Sequence, residues 1–226
     1  MNPKQKTLKN NQLSESEKFN KLKSQWYELA SKYNPETEVV EFFWDELIKA
    51  YCAPKRHYHN LFHLDYMFEA IAPFKYLLHD PDAVYFSIWF HDMVYNSSKK
   101  DNEEQSAQRS SEILTQLNAA VELIIKVKSM IIATKAHMNS ESGDFDTNLL
   151  LDADLAILGS SEETYKSYAK AVRKEYAQYP SLLYNPGRKK VLQKFLQSEY
   201  IYKTEEMRNQ FEVLARKNLY FELNNL

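Results

Sequence analysis

The scarcity of glycine constrains this chain more than any other sequence feature. Only Gly143, Gly159 and Gly187 occur among its 226 residues. Antiparallel sheets need many tight turns, and such turns usually depend on glycine because it adopts positive φ angles without steric cost. A loop that cradles phosphate through its backbone likewise needs several glycines close together. The sequence therefore argues against an all-β fold and a glycine-rich phosphate loop, and it favours helices.

The composition is typical of a soluble globular protein. Hydrophobic residues make up 44% and charged residues 27% of the chain, which excludes an intrinsically disordered protein. The 29 Lys and Arg residues nearly balance the 31 Asp and Glu residues, so no global field attracts nucleic acid or an anionic membrane. The single Cys52 excludes an intramolecular disulfide and a cysteine-rich zinc cluster. Without an apolar signal or membrane segment, these features predict a cytoplasmic protein.

Apolar residues recur at helical spacing along most of the chain. Asn34 and Pro35 are typical of a helix start, with Asn34 capping the first turn. The segment AVYFSIWFHDMVY is apolar around its whole circumference, which predicts a central helix buried on most sides. No alternating strand pattern and no internal repeat occurs in the sequence. We therefore expect an all-α fold.

The length of the chain favours one domain. Residues 1–15 are polar and lack apolar periodicity, which predicts a flexible lead-in. Residues 16–226 are expected to form the domain. Its last three helices are predicted at about 161–178, 187–198 and 204–223.

Histidines and acids interrupt segments that are otherwise predicted to be buried helix. His59 and His63 are four residues apart, which on a helix places their side chains on one face about 6 Å apart along the axis. The adjacent His91 and Asp92 lie within the very apolar helical segment described above. Burying a carboxylate there is costly unless it is paired or binds a metal ion. These residues are therefore candidates for a shared site.

Asp152 and Asp154 create the same problem in a second apolar segment, LLLDADLAILG. Residues two positions apart on a helix cannot both point at one ion. A divalent ion shared by the three segments would compensate the buried charges, because imidazole and carboxylate ligands suit octahedral coordination. The alternative is that each residue is a hydrogen-bonded core residue, with an aspartate capping a helix or pairing with Lys135 or an arginine.

The order of these residues resembles a known metal-binding signature. His63, then His91 with Asp92, then Asp154 is similar to the motif of the HD-domain phosphohydrolase superfamily, an all-helical fold. The segment YHNLFHLDY is also similar to the YHNxxHAxD segment of cyclic-nucleotide phosphodiesterases. The resemblance implies that His63, His91, Asp92 and Asp154 hold the metal. It also implies that His59 protonates the leaving oxygen.

Over most of its length the chain resembles small bacterial HD-superfamily proteins described as metal-dependent hydrolases. The similar segments are RxYHN, HDxVY, DNEExSA, ATKxH, DADLxILG and ARxNL. The resemblance implies an HD-domain helical bundle with additional N- and C-terminal helices. It places a metal-binding core at about 54–160 and the C-terminal helices at 161–226.

The activity implied by this resemblance is hydrolysis of a small, nucleotide-like phosphate ester by metal-activated water. The ion is expected to be Mn, Mg, Fe, Ni, Co or Zn. An alternative is a catalytically silent module that binds metal and nucleotide in regulation. A di-iron oxygenase would need extra histidine ligands, for which His137 is the obvious spare. The expected partner is a small phosphate substrate, without nucleic-acid or membrane binding, and a homo-oligomer is compatible with the sequence.

Further candidates lie in polar segments close to these motifs. Glu103 and Glu104 follow the HD pair and are candidates to orient or deprotonate the water; alternatively, they stabilise an exposed helix N-terminus. Lys135 and His137 lie at the end of an apolar helix and are candidates for the rim of the site. For His137, contact with phosphate, metal water or a second metal competes with a helix C-terminal cap.

Three arginines are candidates for phosphate contacts, because a guanidinium matches phosphate geometry. They are Arg56, Arg173 and Arg188. Most arginines are solvated surface residues, which is the competing interpretation for each of them. Tyrosines and phenylalanines concentrate in the segment EYAQYPSLLYNPGRKKVLQKFLQSEYIY, where some are candidates to stack on a nucleobase. The helical spacing of Leu192, Phe195 and Leu196 instead favours packing of the C-terminal helices onto the core.

Overall fold

The structure is a computed structural model that describes residues 14–135 and 143–226. These residues contain ten α-helices, two 3-10 helices (Ala72–Leu77 and Ala156–Gly159) and no strand, which confirms the all-α prediction. In chain order the α-helices are α1 (Glu15–Ala30), α2 (Thr37–Tyr51), α3 (Leu61–Ile71), α4 (Pro81–Phe90), α5 (Asn102–Gln116), α6 (Val121–Thr134), α7 (Phe145–Leu155), α8 (Glu162–Glu175), α9 (Ser181–Gln197) and α10 (Glu205–Asn225). No helix within these described ranges combines the length and apolar character needed to cross a membrane.

Side-chain caps determine where several helices begin. Ser14 and Glu17 form a reciprocal capping box at the start of α1, so the predicted flexible segment 1–15 ends slightly earlier than expected. Most of that segment, residues 1–13, lies outside the described residues. Asn34 was expected to cap α2, but its side-chain oxygen instead accepts a hydrogen bond from the N–H of Glu36, and the helix starts at Thr37.

The prediction that a helix begins at residue 187 was wrong, because α9 begins at Ser181. Pro186 lies inside this helix. A proline removes the hydrogen bond to the carbonyl four residues earlier, which here belongs to Leu182. The side chain of Leu182 is 85% exposed, so this turn lies at the surface, where water can reach the carbonyl. The surface position explains why the helix continues through the proline.

The core is aromatic and surrounds α4, as the apolar segment predicted. Seven of the ten residues of α4 are buried. The ring of Trp26 lies edge-on to the rings of Phe86, Trp89 and Phe90, at centroid distances of 6.3, 5.8 and 5.9 Å. Its indole N–H donates a hydrogen bond of 2.9 Å to the carbonyl of Val40. These contacts join α1 and α2 to the helix that leads into His91.

Two glycines occupy opposite environments. A Cβ atom added at Gly159 would lie 2.6 Å from Cβ and 2.7 Å from the carbonyl oxygen of Phe211 on α10. Glycine therefore permits the close packing of the Ala156–Gly159 turn against α10. A Cβ atom added at Gly187, inside α9, would meet no atom within 4 Å.

We expect Gly159→Ala to lower the free energy of unfolding by about 1–3 kcal/mol, because the methyl group would displace the backbone of α10. Gly187→Ala should raise it by about 0.4–1 kcal/mol, because alanine restricts the unfolded chain and fits the helix without a clash. Urea denaturation of both variants measures these changes. A neutral Gly159→Ala would contradict the close approach of the turn to α10.

Candidate metal centre

Helices α3 and α4 bring two histidines together in the core. His63 lies in the first turn of α3, and His91 caps the C-terminal end of α4. Their Nε2 atoms are 3.1 Å apart, and both residues are 1% exposed. The Nδ1 atom of His91 lies 2.9 Å from the carbonyl oxygen of Ile88. Because a carbonyl can only accept, Nδ1 of His91 carries the proton of this hydrogen bond, and Nε2 faces His63.

Two aspartates complete this cluster. Oδ1 of Asp154, on α7, lies 3.0 Å from Nε2 of His63 and 3.8 Å from Nε2 of His91. Oδ2 of Asp92 lies 3.3 Å from Nε2 of His91 and 3.9 Å from Nε2 of His63. The ligand atoms of His63, His91 and Asp154 all lie within 4.8 Å of one another. Donors bound to one ion at about 2.1 Å lie about 3 to 4 Å apart, so this donor set fits a divalent metal.

Two of the predicted helix placements at this site are wrong. Helix α4 ends at Phe90, so His91 and Asp92 lie at its end and not inside it. The carbonyl of Ile88, which would accept from the N–H of Asp92 in a longer helix, instead lies 2.9 Å from Nδ1 of His91. Beyond the helix, Arg56 binds the carbonyl oxygens of Asp92 at 2.6 Å and Met93 at 2.8 Å.

His59 does not share a helix with His63, because α3 begins after Asn60. The side-chain oxygen of Asn60 accepts a hydrogen bond from the N–H of Phe62 and caps the helix at that point. The two imidazoles are nevertheless close, with ring centroids 5.8 Å apart. The two imidazoles are therefore close, as their spacing predicted. The turn before α3 brings them together, and not a shared helix face.

Asp152 and Asp154 lie on the same helix but serve different contacts. The carboxylate of Asp152 accepts hydrogen bonds of 2.7 Å from the N–H of Lys203 and from both the N–H and the hydroxyl of Thr204. Burial raises the pKa of Asp152 to about 6, despite these hydrogen bonds. Asp152 therefore anchors the segment before α10, whereas Asp154 lies beside the two histidines.

His59 is held by Glu175, the last residue of α8. Oε2 of Glu175 lies 2.6 Å from Nδ1 of His59 and accepts a hydrogen bond of 3.0 Å from the hydroxyl of Tyr95. Oε1 accepts hydrogen bonds of 2.8, 2.7 and 3.0 Å from the backbone N–H groups of His57, Tyr58 and His59. The ring of Tyr95 stacks on the His59 imidazole at a centroid distance of 4.2 Å. These contacts fix the orientation of the imidazole.

The other nitrogen of His59 faces the cluster, with Nε2 3.9 Å from Oδ2 of Asp92. Burial lowers the pKa of His59, but the charge of Asp92 and the hydrogen bond to Glu175 outweigh burial and raise it. Burial raises the pKa of Glu175, but the hydrogen bond from His59 is among the effects that lower it to about 2. These contacts favour the charged form of an imidazole whose Nε2 is directed at the candidate metal site.

The two facing imidazoles have pKa values shifted in opposite directions. Burial lowers the pKa of His63 below its ordinary value. Burial also disfavours the charged form of His91, but the charge and hydrogen bond of Asp92 outweigh it and raise the pKa of His91 to about 9. Burial raises the pKa of Asp92, yet the charges of His91 and His59 bring it below its ordinary value. For His63, burial and the charge of His91 outweigh the nearby Asp154, which by itself would raise the pKa.

Arg56, a candidate for phosphate binding, contacts the backbone of the site. Its guanidinium donates to the carbonyl oxygen of His59 at 3.1 Å as well as to those of Asp92 and Met93. It also packs over the rings of Tyr51 and Tyr95, at 4.9 and 5.6 Å from their centroids. Arg56 therefore ties together the two segments that carry His59 and Asp92.

The two acids predicted to orient or deprotonate the water and the lysine predicted at the rim lie near the first turn of α5. Glu103 and Glu104 are in that turn, where acidic side chains stabilise the helix N-terminus. Lys135 forms an ion pair with Glu104 and donates a hydrogen bond of 2.7 Å to the carbonyl of Lys100. His137, the remaining candidate of this group, lies outside the described residues.

The two C-terminal arginines are engaged with neighbouring helices. Arg188 binds both carboxylate oxygens of Glu222, at 2.8 and 3.0 Å, and lines a cavity together with His59. Arg173 donates hydrogen bonds of 3.0 Å to the carbonyls of Tyr176 and Tyr179. Both arginines therefore support the wall of that cavity.

Sequence reasoning missed Glu175. A signal for it exists, because Glu175 follows the buried Val172 by three residues and Tyr165 by ten, which places it on the apolar stripe of α8. An acid on such a stripe needs a partner, and that partner is the turn that carries His59. His59 and Glu175 are 116 positions apart, so no local sequence pattern indicates that they pair.

Comparison of the chain with family models, curated proteins and solved structures gave no match. The resemblance to the HD-domain phosphohydrolases therefore stays a prediction that depends on sequence motifs. The all-helical fold and the grouping of His63, His91 and Asp154 are properties of the structure itself.

Proposed function

We propose that this protein is a metal-dependent phosphohydrolase of the HD-domain type that hydrolyses a small, nucleotide-like phosphate ester. The observation that carries the proposal is a half-buried histidine, positioned to donate a proton, next to a metal-capable cluster. Nε2 of His59 lies 3.9 Å from Asp92, and Glu175 holds the opposite nitrogen at 2.6 Å. A structural metal site would need no such donor. Ester hydrolysis does need one, because the leaving oxygen departs as an alcohol only when it receives a proton.

Each residue of the cluster has a role in this chemistry. His63, His91, Asp92 and Asp154 would hold a divalent ion, which supplies an activated water and polarises a phosphoryl oxygen. His59 donates the proton on Nε2 to the leaving oxygen. Glu175 keeps this imidazole charged and oriented through Nδ1, as carboxylates that support active-site histidines commonly do. Arg56 binds the backbone carbonyls of His59 and Asp92 and so fixes the position of one residue relative to the other.

A catalytically silent module that binds metal and nucleotide would share the ligand cluster. The His59–Glu175 pair favours the hydrolase, because binding of a metal alone gives no reason to hold a further imidazole on a carboxylate beside the ligands. Only the hydrolase would turn over an ester, so a measurement of hydrolysis distinguishes the two functions.

The test combines metal analysis with a hydrolysis screen over mono-, di- and cyclic nucleotides. We expect about one or two divalent ions per chain and a hydrolysis that chelation abolishes and added metal restores. Asp92→Ala should lose both the ion and the activity, whereas Asp45→Ala, at an exposed aspartate of α2, should retain both. Full metal occupancy in Asp92→Ala would contradict the ligand assignment. Bound metal without hydrolysis of any ester would favour the silent module.

A further inference from the structure

A cavity of about 560 Å³ adjoins His59 on the side of helices α8 and α9. This volume is typical of sites that bind small molecules. We call it the tyrosine cavity, since its lining includes His59, Tyr168, Tyr176, Tyr179, Tyr184 and Arg188. It lies on the C-terminal helices and shares His59 with the candidate metal centre.

The wall of the tyrosine cavity offers aromatic faces and a compensated charge. Arg188 is paired with both oxygens of Glu222 and packs over the ring of Tyr168, 5.5 Å from its centroid. Arg173 packs over the ring of Tyr184 at 4.5 Å. Because the charge of Arg188 is already neutralised, a phosphate gains little from it. An uncharged ring, in contrast, can stack on the tyrosines at little cost in desolvation.

Tyr58 also belongs to the lining of the tyrosine cavity. Its hydroxyl is buried and has no hydrogen-bond partner among the described residues. Its ring lies edge-on to Tyr168 at 4.6 Å and to His59 at 4.9 Å.

We propose that the tyrosine cavity binds the leaving group of the substrate and selects a neutral, planar aromatic ring of the nucleobase type. This inference rests on the proposed hydrolase function. His59 belongs both to the wall of the cavity and to the surroundings of Asp92. A proton donor in that position places the scissile ester on the side of the metal centre and the remainder of the alcohol in the cavity. The tyrosines there determine which alcohols fit.

The matched substrates for a test are adenosine 5′-monophosphate and ribose 5-phosphate. They present the same phosphate on the same primary alcohol and differ in the base. We expect the metal-loaded protein to prefer the nucleotide in kcat/KM by about 5- to 150-fold, the usual effect of stacking one base on an aromatic side chain. Tyr184→Leu should remove most of this preference, because it lowers kcat/KM for the nucleotide far more than kcat/KM for ribose 5-phosphate.

A second readout does not depend on turnover. Adenosine should bind the metal-free protein in calorimetry, and Tyr184→Leu should weaken this binding by about 5- to 150-fold. Tyr200→Leu is the control, because Arg208 packs over Tyr200 at 4.3 Å much as Arg173 packs over Tyr184, but Tyr200 lies outside the cavity lining. If Tyr184→Leu fails to fold, the more exposed Tyr179→Leu replaces it.

The outcomes separate the two proposals. Adenosine binding that Tyr184→Leu weakens and Tyr200→Leu retains supports the cavity, even if neither ester is hydrolysed, a result that would count against the hydrolase. Hydrolysis of both esters with equal kcat/KM would overturn the proposed role of the tyrosine cavity but would support the proposed hydrolase function. Equal adenosine affinity in all variants, or no binding to the wild type, also overturns the cavity.

Discussion

His63→Ala and Asp154→Asn are each expected to weaken binding of a divalent ion by more than about 100-fold, whereas Asp152→Asn should retain it. The reason is that His63 and Asp154 belong to the group whose ligand atoms lie within 4.8 Å of one another. The carboxylate of Asp152 instead contacts the backbone of Lys203 and Thr204. Titration of Mn²⁺ by calorimetry, with metal content after dialysis, measures the difference.

Asp152→Asn is a demanding control, because it changes an aspartate only two positions from Asp154 on the same helix. It should lower the free energy of unfolding by about 1–3 kcal/mol, since an amide cannot accept all the hydrogen bonds that the carboxylate accepts. The reverse pattern, with metal lost from Asp152→Asn and kept by Asp154→Asn, would show that the wrong aspartate has been assigned to the metal.

His59→Ala should keep the metal and slow hydrolysis of an ordinary nucleotide ester by roughly 10²–10⁴-fold, the usual contribution of a positioned general acid. The same variant should hydrolyse p-nitrophenyl phosphate at nearly the wild-type rate, because p-nitrophenolate leaves without a proton. The comparison of kcat for the two esters, at equal metal occupancy, therefore tests the role of Nε2. Equal losses on both esters would mean that His59 positions the phosphate. Loss of the metal would mean that His59 is a ligand.

Glu175→Gln extends this test to the residue that holds His59. The glutamine preserves the size of the side chain but removes the charge that favours the protonated imidazole. We expect a smaller loss, about 10- to 100-fold, with the same dependence on the leaving group. A purely structural role would reduce the hydrolysis of both esters equally, so the ratio of the two rates distinguishes positioning from folding.

The helical fold and the order of the candidate ligands were predictable from the sequence, but the arrangement of the site was not. The apolar segments around His91, Asp92 and Asp154 indicated that these polar residues are buried and belong to one site. Residue spacing alone could not choose between Asp152 and Asp154, and the choice came from the resemblance to a family motif. In the structure, the carboxylate of Asp152 is bound by the backbone of Lys203 and Thr204, whereas Asp154 lies beside His63.

The sequence by itself determined the helices of this protein, because periodicity, caps and the scarcity of glycine act within a few residues of the chain. Only the tertiary structure decided what those helices bring together. The backbone position of Asp92 depends on Arg56, the orientation of His59 on Glu175, and the neutral wall of the tyrosine cavity on the pairing of Arg188 with Glu222. These contacts join residues 36, 116 and 34 positions apart. Buried charges must find partners wherever packing supplies them, and no local pattern encodes which distant residue that will be.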